Sequence, residues 1–395
     1  MTDHDDLSET ADSTDRKYDR RRVLAGIGTA ATLSIAGCAG QDGETTATTT
    51  ATGTEEAAFG EFRGSGALAQ GRGELGGTLM SELPDLSGKL TVYIGGGEGG
   101  QYIDLLDKLE SRYPDFEVAH REYGTSEGAN TLISEGKATP ADVFWSVDAG
   151  SLAAIAKEGL TTKLQQETVE PVPKEYHPDD QWVGTAGRAR AVPFNTDAMS
   201  ADDVPNKVQE SPNVDAFQGN FGWAPTYGAF QSFITAMRLL RGEEKTKQWL
   251  QAMLDAGVTE YKDEFLVSNA VAKGEVNAGF ANHYYALRVK AARPNAPLDL
   301  AFTQGDAGAL INTAGAAIMQ PSKKQELANN FIRHLLSAEA QEFFATRLYA
   351  YPMIPEIPPV GGLPTIDELN PPEIDLTKLS DIGPTKDLLR EVGVL

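Results

Sequence analysis

The amino-acid sequence predicts an α/β protein in which a largely parallel sheet carries helices on both of its faces. Short apolar runs alternate with amphipathic segments from residue 90 onward. Apolar side chains in the amphipathic segments recur at positions i, i+3, i+4 and i+7, which is the period of a helix. Strand–helix alternation of this kind is typical of parallel sheets covered on both faces.

The predicted elements follow in order from the first apolar run. Leu90-Thr91-Val92-Tyr93-Ile94 is short and rich in β-branched residues, which predicts a buried strand. Further strands are predicted near 116–122 and 142–145. Helices are predicted around 102–109, 126–135, 149–158, 230–237, 325–336 and 338–348.

The charge balance of the 395 residues excludes two classes of partner. Lys and Arg number 34 against 57 Asp and Glu, which gives a net charge of -23. Nucleic acids and anionic bilayers both require a basic surface, so neither is expected to bind the body of this protein. A large carboxylate excess is typical of salt-adapted proteins, such as those of halophilic archaea, although an ordinary acidic protein is the alternative.

The sequence pattern of the N-terminal residues predicts an export signal rather than a part of the folded domain. Arg20-Arg21-Arg22 precedes an apolar stretch, residues 23–36, that is too short to span a bilayer. The arginines resemble a twin-arginine signal, and Ile35-Ala36-Gly37-Cys38 resembles a lipobox whose cysteine is lipidated. The alternative is a short buried helix with a core cysteine. We therefore expect a signal peptide over 1–37 and a lipid-anchored N-terminus at Cys38.

The next segment is expected to be a stalk and linker over residues 38–88. Residues 41–58 are dominated by Thr, Ala, Gly and Glu, and such a tract buries too little apolar area to offset its ordering entropy. Residues 59–88 are rich in glycine. The folded body is predicted to begin at about Lys89.

A glycine run follows the first predicted strand, at Gly95-Gly96-Gly97-Glu98-Gly99-Gly100. Ligands of doubly wound sheets bind beyond the carboxyl ends of the strands, and glycines let backbone N–H groups approach them closely. Gly96 and Gly97 are therefore candidate anion-binding residues. The alternative is a flexible turn that binds no ligand.

The second candidate site is the segment Asn282-His283-Tyr284-Tyr285. Asn282 is a suitable N-cap, and two tyrosines in the first turn of a helix can both face a cleft. Phenolate oxygens suit a hard, highly charged cation such as Fe(III), and a helix N-terminus beside them favours an anion that completes the coordination shell. The alternative is a pair of amphipathic aromatic residues at a domain boundary. A site role for His283 stays open.

Catalytic motifs are missing from the sequence. It contains no His-Glu-x-x-His, no Gly-x-Ser-x-Gly and no Walker-type loop. No two of its five histidines have metal-ligand spacing, and its single cysteine excludes a disulfide framework. The sequence therefore gives no catalytic constellation.

The body resembles the substrate-binding proteins of iron(III) ABC transporters, that is, the ferric-binding protein family of extracellular solute-binding lipoproteins. The resemblance covers about residues 89–395, and the tandem tyrosines at 284–285 are its most specific part. The other matching segments are Leu90-Thr91-Val92-Tyr93, Pro140-Ala141-Asp142-Val143-Phe144, Asp148-Ala149-Gly150, Gly187-Arg188-Ala189-Arg190, Asn195-Thr196, Gly274-Glu275-Val276, Gly279, Gly308-Ala309-Leu310, Gly315-Ala316-Ala317 and Tyr351-Pro352.

The resemblance implies a type II periplasmic-binding-protein fold, in which two α/β lobes are joined by crossover hinge strands. Lobe 1 would comprise 89–193 and 300–395, and lobe 2 would comprise 194–299. The chain would cross between the lobes near Arg190–Asn195 and return near Leu300.

The resemblance also implies a metal site and an anion site. Tyr284 and Tyr285 would be the iron ligands. The synergistic anion would be held by Asn282 and by the loop Thr226-Tyr227-Gly228-Ala229. The family often has a small hydroxyl residue in place of Tyr227, so Tyr227 would instead supply a third phenolate. The family's His or Arg in the first loop and its Glu near Val147 are missing, and Glu98 or Asp148 would substitute as oxygen donors.

By this resemblance the protein delivers Fe(III) to an ABC permease and its ATPase from the extracellular face of the membrane, as a lipid-anchored monomer rather than as an enzyme. The first alternative is the same receptor fold with an organic or oxyanion ligand, such as thiamine or a phosphonate. The second alternative, from a different class, is an enzyme or an adhesive surface lipoprotein.

The acidic composition makes the stability of the protein depend on salt. At low ionic strength the carboxylates repel one another over long distances, and molar salt screens that repulsion. We expect the midpoint of thermal unfolding to rise markedly between dilute and molar KCl. A midpoint that does not move with salt would contradict the salt-adapted interpretation.

Cys38→Ser tests the lipid anchor. The substitution removes the thiol that would carry the lipid, so the protein should leave the membrane fraction and appear in the medium. Fractionation followed by immunoblotting measures this, with the wild-type chain as the control. A variant that still sediments with membranes would exclude lipidation at this cysteine.

Overall fold

The structure is a computed structural model that describes residues 59–72, 76–96 and 100–395. The predicted signal peptide, Cys38, the Thr-rich stalk, Gly97 and Glu98 lie outside the described residues. Within the described ranges, no helix combines the length and the apolar character that crossing a bilayer requires.

The predicted strands and helices are present at nearly the predicted positions. The described strands are β1 (Gly88–Gly95), β2 (Phe116–Tyr123), β3 (Val143–Ser146), β4 (Thr161–Thr162), β5 (Val183–Asn195), β6 (Phe221–Trp223), β7 (Thr259–Glu260), β8 (Ala278–Gly279), β9 (Ala281–Asn282), β10 (Leu298–Ala301) and β11 (Ile311–Met319). The described α-helices are α1 (Gln101–Arg112), α2 (Thr125–Glu135), α3 (Ala149–Lys157), α4 (Gln166–Val169), α5 (Gly228–Arg241), α6 (Glu243–Asp255), α7 (Glu264–Lys273), α8 (His283–Ala292), α9 (Gln325–Leu335), α10 (Ala338–Phe343), α11 (Ile366–Leu369) and α12 (Gly383–Val392).

The sheet is mixed rather than largely parallel, which corrects the first prediction. β1 pairs in parallel with β2 and β3, as the strand–helix alternation predicts. β11, however, is antiparallel to both β3 and β5. The strand–helix alternation predicts the direction only of strands that are connected by helices. β5 leaves this sheet and β11 returns to it, so their directions do not follow from that pattern.

The long strand β5 belongs to two groups of strands. Its first half pairs with β11, from Val183 to Ala189. Its second half pairs with β9, β10 and β8, from Arg190 to Asn195. β8 in turn pairs in parallel with β6, which pairs with β7. This arrangement confirms the predicted fold of two α/β units joined by crossover strands. The division of the chain between the two lobes stays a prediction.

Aromatic residues fill the core beside β3. Trp145 is fully buried, and its ring stacks on that of Tyr102 from α1 with a centroid distance of 3.8 Å and an interplanar angle of 13°. Phe331 and Phe344 meet the same indole edge-on. Trp145 therefore contacts both α1 and the helical segments that follow β11.

Residues 59–72 and 76–88, which were predicted as linker, pack against the body. Phe62 and Met80 are fully buried in the main core. Arg63 and Arg72 each donate a 2.7 Å hydrogen bond from Nε to the buried carboxylate of Glu342. The segment contains few apolar residues and many glycines, so no extended periodicity marks it in the sequence, and the folded part of the chain begins well before Lys89.

The C-terminal residues pack on elements of both strand groups. Leu376–Ser380 packs against α3 and α5, and α12 packs against α5 and α6. The buried hydroxyl of Thr385 on α12 lies 2.7 Å from that of Thr235 on α5 and accepts a bond from Arg238. The predicted lobe division places all of 300–395 with the first group, whereas α12 packs on helices from the range 194–299.

Glu342→Gln should destabilise the protein substantially. The substitution removes the buried negative charge that pairs with Arg63 and Arg72, and a buried ion pair that loses one partner costs about 3–5 kcal/mol. Urea unfolding measures the change in the free energy of unfolding.

The matched control is Glu391→Gln, which removes an exposed partner of Lys247 on the surface. Exposed ion pairs contribute little, so this variant should unfold close to the wild type. Equal destabilisation by the two substitutions would argue against the anchoring role of Glu342.

Candidate functional site

A cleft of about 700 Å³ brings most of the predicted site residues together. Its described lining includes eight residues that the sequence predicts as site residues: Gly96, Asp148, Tyr227, Gly228, Ala229, Asn282, Tyr284 and Tyr285. Thr226 is exposed and does not line the cleft; its carbonyl oxygen accepts a hydrogen bond from Gln231. An anion-binding role for Thr226 therefore stays a prediction from the sequence.

A buried ion pair fixes the start of the tyrosine helix. Arg190 on β5 and Glu264 at the start of α7 are both almost inaccessible to solvent, and Nη1 of the arginine donates to Oε1 of the glutamate. The second carboxylate oxygen, Oε2, accepts the backbone N–H of Asn282 at 2.8 Å. One carboxylate thus joins the crossover strand, α7 and the residue that precedes α8.

Asn282 is at the N-cap position of α8, as predicted, but it does not make the expected capping bond. Its backbone is extended, with φ -70° and ψ 139°, and its side chain forms no hydrogen bond to the first turn of the helix. The residue lines the cleft instead. Its carboxamide can therefore contact a ligand there.

His283 is a structural residue. It is fully buried, its Nδ1 accepts the N–H of Ala189 at 3.1 Å, and its Nε2 donates to the carbonyl oxygen of Tyr349 at 2.7 Å. Burial lowers the pKa of His283 to about 4, so the ring is neutral near pH 7. Both ring nitrogens are in use within the protein, which answers the question that the sequence left open.

Three tyrosines meet in the cleft. The rings of Tyr284 and Tyr285 lie 4.3 Å apart between centroids, and both side chains line the cleft. The hydroxyl of Tyr285 is hydrogen-bonded to that of Tyr227, which immediately precedes α5. Burial, reinforced by the neighbouring phenols, raises the pKa of Tyr285 well above its usual range. Without a cation, this phenol therefore keeps its proton at neutral pH.

The N-terminus of α5 opens onto the same cleft. Gly228 and Ala229 form its first turn and line the cleft, and no side chain caps the helix. Free N–H groups and the helix dipole at such a terminus favour a bound anion. These two residues are thus suited to the anion role predicted for them.

Asp148 lies in the cleft with its carboxylate already engaged. It caps α3, because Oδ1 accepts the backbone N–H of Ser151 at 2.9 Å and Oδ2 accepts the Ser151 hydroxyl at 2.8 Å. Gly96 also lines the cleft, with a positive φ of 102°. A Cβ atom on Gly96 would lie 2.5 Å from Val147, so the close approach of these two loops requires glycine there.

The cleft contains arginines that the sequence analysis does not name as site residues. Arg188, Arg190 and Arg288 line it, whereas Asp148 is the only acidic residue of the described lining. The guanidinium of Arg288 lies 4.9 Å from the ring centroid of Tyr284 and 5.7 Å from that of Tyr285. Arg288 follows Tyr284 by four residues, and this helical spacing could have identified it.

The C-terminal segment supplies a further part of the lining that no sequence pattern indicates. Leu379, Ser380 and Ile382 line the cleft, and the backbone of Ser380 lies directly over Gly150 of α3. These residues come almost a hundred positions after the tyrosines, so only the folded chain brings them to the site.

A metal ion in this cleft would depend on the phenols. Among the described residues, no three His, Cys, Asp or Glu side chains lie close enough together to hold a metal ion. Phenolate and carboxylate oxygens are hard donors, which suit a hard cation of high charge. The arginines and the α5 N-terminus would in turn suit an anion bound beside that cation.

Comparison with known proteins matches residues 104–368 to the family model described as bacterial extracellular solute-binding protein. The major ferric iron-binding protein of Neisseria meningitidis serogroup A is 29% identical over 326 residues, which cover 81% of this chain and 97% of the relative. The Fe(3+)-binding periplasmic protein of Serratia marcescens is 28% identical over 283 residues, which cover 70% of this chain and 83% of the relative.

Solved structures show the same fold. Iron-bound HitA from Pseudomonas aeruginosa superposes with a TM-score of 0.67 at 28% identity, covering 77% of this chain and 99% of HitA. The FutA protein of Trichodesmium, solved with iron and citrate ligands, gives a TM-score of 0.65 at 22% identity, covering 78% of this chain and 99% of that protein.

Proposed function

The chain belongs to the family of bacterial extracellular solute-binding proteins, and on this premise we propose that it binds Fe(III) together with an anion and delivers both to an ABC importer. The relatives named above as ferric iron-binding proteins support this choice of ligand. The observation that carries the proposal is the convergence of three phenols, Tyr227, Tyr284 and Tyr285, in one cleft.

The charges of the cleft suit this cargo. Three ionised phenols would balance the three positive charges of Fe(III), and a bound cation lowers the pKa of the phenols that ligate it. Asp148 is the one carboxylate of the described lining, and it could add an oxygen ligand if it gave up its bonds to Ser151. Glu98 stays a candidate from the sequence. No His or Cys ligand is needed for a metal of this hardness.

The anion would lie between the α5 N-terminus and the arginines. The backbone N–H groups of Gly228 and Ala229, the carboxamide of Asn282, and Arg188 and Arg288 all reach the same cleft. Guanidinium groups bind carboxylate and phosphate oxygens with charge-assisted hydrogen bonds. An anion placed here would complete the coordination of the metal and balance the cationic groups.

Delivery would follow from hinged closure of the two lobes. β5 and β10–β11 connect the two groups of strands, and closure about a few connecting residues is a known mechanism of binding proteins. The closed, loaded form would be recognised by a permease with its ATPase. In this proposal the lipid on Cys38 keeps the monomeric receptor at the extracellular face of the membrane.

The alternative receptor function is uptake of an organic or inorganic oxyanion without iron. Arg188 and Arg288 in the lining, together with the cleft volume of about 700 Å³, favour this reading over a cationic ligand such as thiamine. It differs from the iron proposal in a direct way, because phenolate-to-iron charge transfer gives colour and oxyanion binding does not.

Tyr284→Phe and Tyr285→Phe should each abolish or greatly weaken the colour of the ferric complex while the fold stays intact. The swap keeps the ring and removes only the donor oxygen. Titration with ferric citrate, followed by visible absorbance, measures binding. Because Fe(III) must displace phenolic protons, and burial raises the pKa of Tyr285, affinity should fall as the pH is lowered.

The matched control is Tyr261→Phe, since this phenol lies outside the described lining of the cleft. It should bind iron as the wild type does. A wild-type protein that stays colourless with ferric citrate would refute the iron assignment and leave the oxyanion receptor as the remaining reading.

A further inference from the structure

Phe265 is a large apolar side chain exposed at an otherwise well-ordered position. Its side chain is 41% exposed, and its neighbour Leu266 is 42% exposed. The turn that carries them is fixed on both sides, because Asp263 caps α7 by accepting the N–H of Leu266 at 2.8 Å and Glu264 is held by Arg190 and Asn282. The backbone of residue 265 is therefore held in place beside the cleft.

The ring of Phe265 lies against the tyrosine site. Its centroid is 6.3 Å from that of Tyr285, at an interplanar angle of 58°, which is within the range of aromatic pairs. Tyr284 and Arg288 contact the same tyrosine ring from within α8, and Tyr227 contacts it from the start of α5. Of these four neighbours, Phe265 is the one that is exposed to solvent.

An exposed phenylalanine in the first turn of a helix has no evident role in folding. The part of the ring that stays in contact with solvent gains nothing from burial, so packing alone gives little reason for a phenylalanine here. The shell of apolar groups around a metal site does have a function, because it limits the access of water and lowers the local dielectric.

We propose that Phe265 is a positioning residue that covers Tyr285 at the rim of the cleft and slows the loss of the bound ion. This inference rests on the proposed iron function, with Tyr285 as a ligand. The ring keeps water and competing chelators away from the bond between the metal and the phenolate oxygen. It acts through Tyr285 and donates no ligand of its own.

The test compares the rate of iron release in Phe265→Ser, Phe265→Leu and Leu266→Ser with that of the wild type. Each iron-loaded protein is mixed with excess EDTA, and the decay of the charge-transfer absorbance is followed in a stopped-flow instrument. Phe265→Ser should release iron about threefold to tenfold faster, as the loss of one aromatic contact implies. Phe265→Leu keeps an apolar side chain over Tyr285, so it should release iron at a rate close to that of the wild type.

Leu266→Ser is the matched control, because it removes an equally exposed apolar side chain from the same turn of α7. Consecutive helical side chains point about 100° apart, so this change leaves the cover of Tyr285 in place. Its release rate should equal that of the wild type. The charge-transfer band should shift only in Phe265→Ser, as water reaches the phenolate.

Equal release rates and equal spectra for Phe265→Ser and Leu266→Ser would overturn the role of Phe265 while leaving iron binding intact. A wild-type protein that forms no coloured complex would overturn the proposed function and this inference together. Since residues 265 and 266 are both partly exposed, all three variants should stay folded, which circular dichroism checks.

Discussion

The buried ion pair between Arg190 and Glu264 is the interaction on which the site depends. Two charges removed from water are stabilised only if their geometry is favourable and their remaining polar atoms are satisfied. Glu264 meets this condition with its second oxygen, which accepts the N–H of Asn282. Nε and Nη2 of Arg190 have no hydrogen-bond partner among the described residues, and its guanidinium lies 5.0 Å from the ring centroid of Phe233. Without that carboxylate, β5 would keep a buried cation and α8 would lose the contact that sets where Tyr284 and Tyr285 begin.

The protein separates its charges between surface and cleft. Its net charge is -23, yet the described lining of the cleft has one carboxylate and three arginines, of which Arg190 is paired with the buried Glu264. Acidic residues on the outside favour solubility and hydration, whereas arginines inside the cleft attract anions and anionic metal complexes. Since opposite charges are placed in different regions, the sign of the whole chain does not indicate the sign of the ligand.

The two groups of strands are connected by more than the crossover strands. β5 is shared by both groups, and the C-terminal segment packs on α3 and on α5 before it ends as α12. Leu379, Ser380 and Ile382 of that segment also line the cleft. If the cleft closes, this segment must therefore move with the elements that it contacts, so the position of the C-terminal residues depends on the state of the site.

The sequence by itself determined the local elements and one part of the site. Helical and strand periodicities located β1 to β3 and α1 to α3, and the segment at 282–285 indicated an N-cap followed by paired phenols, because these features depend on residues close together in the chain. The tertiary structure alone decided that Tyr227 meets Tyr285, 58 residues away, and that Glu264 rather than a capping bond holds Asn282. It also decided that residues 59–72 belong to the body and that His283 is structural. Such contacts join distant segments, and the burial that creates them leaves no local pattern in the sequence.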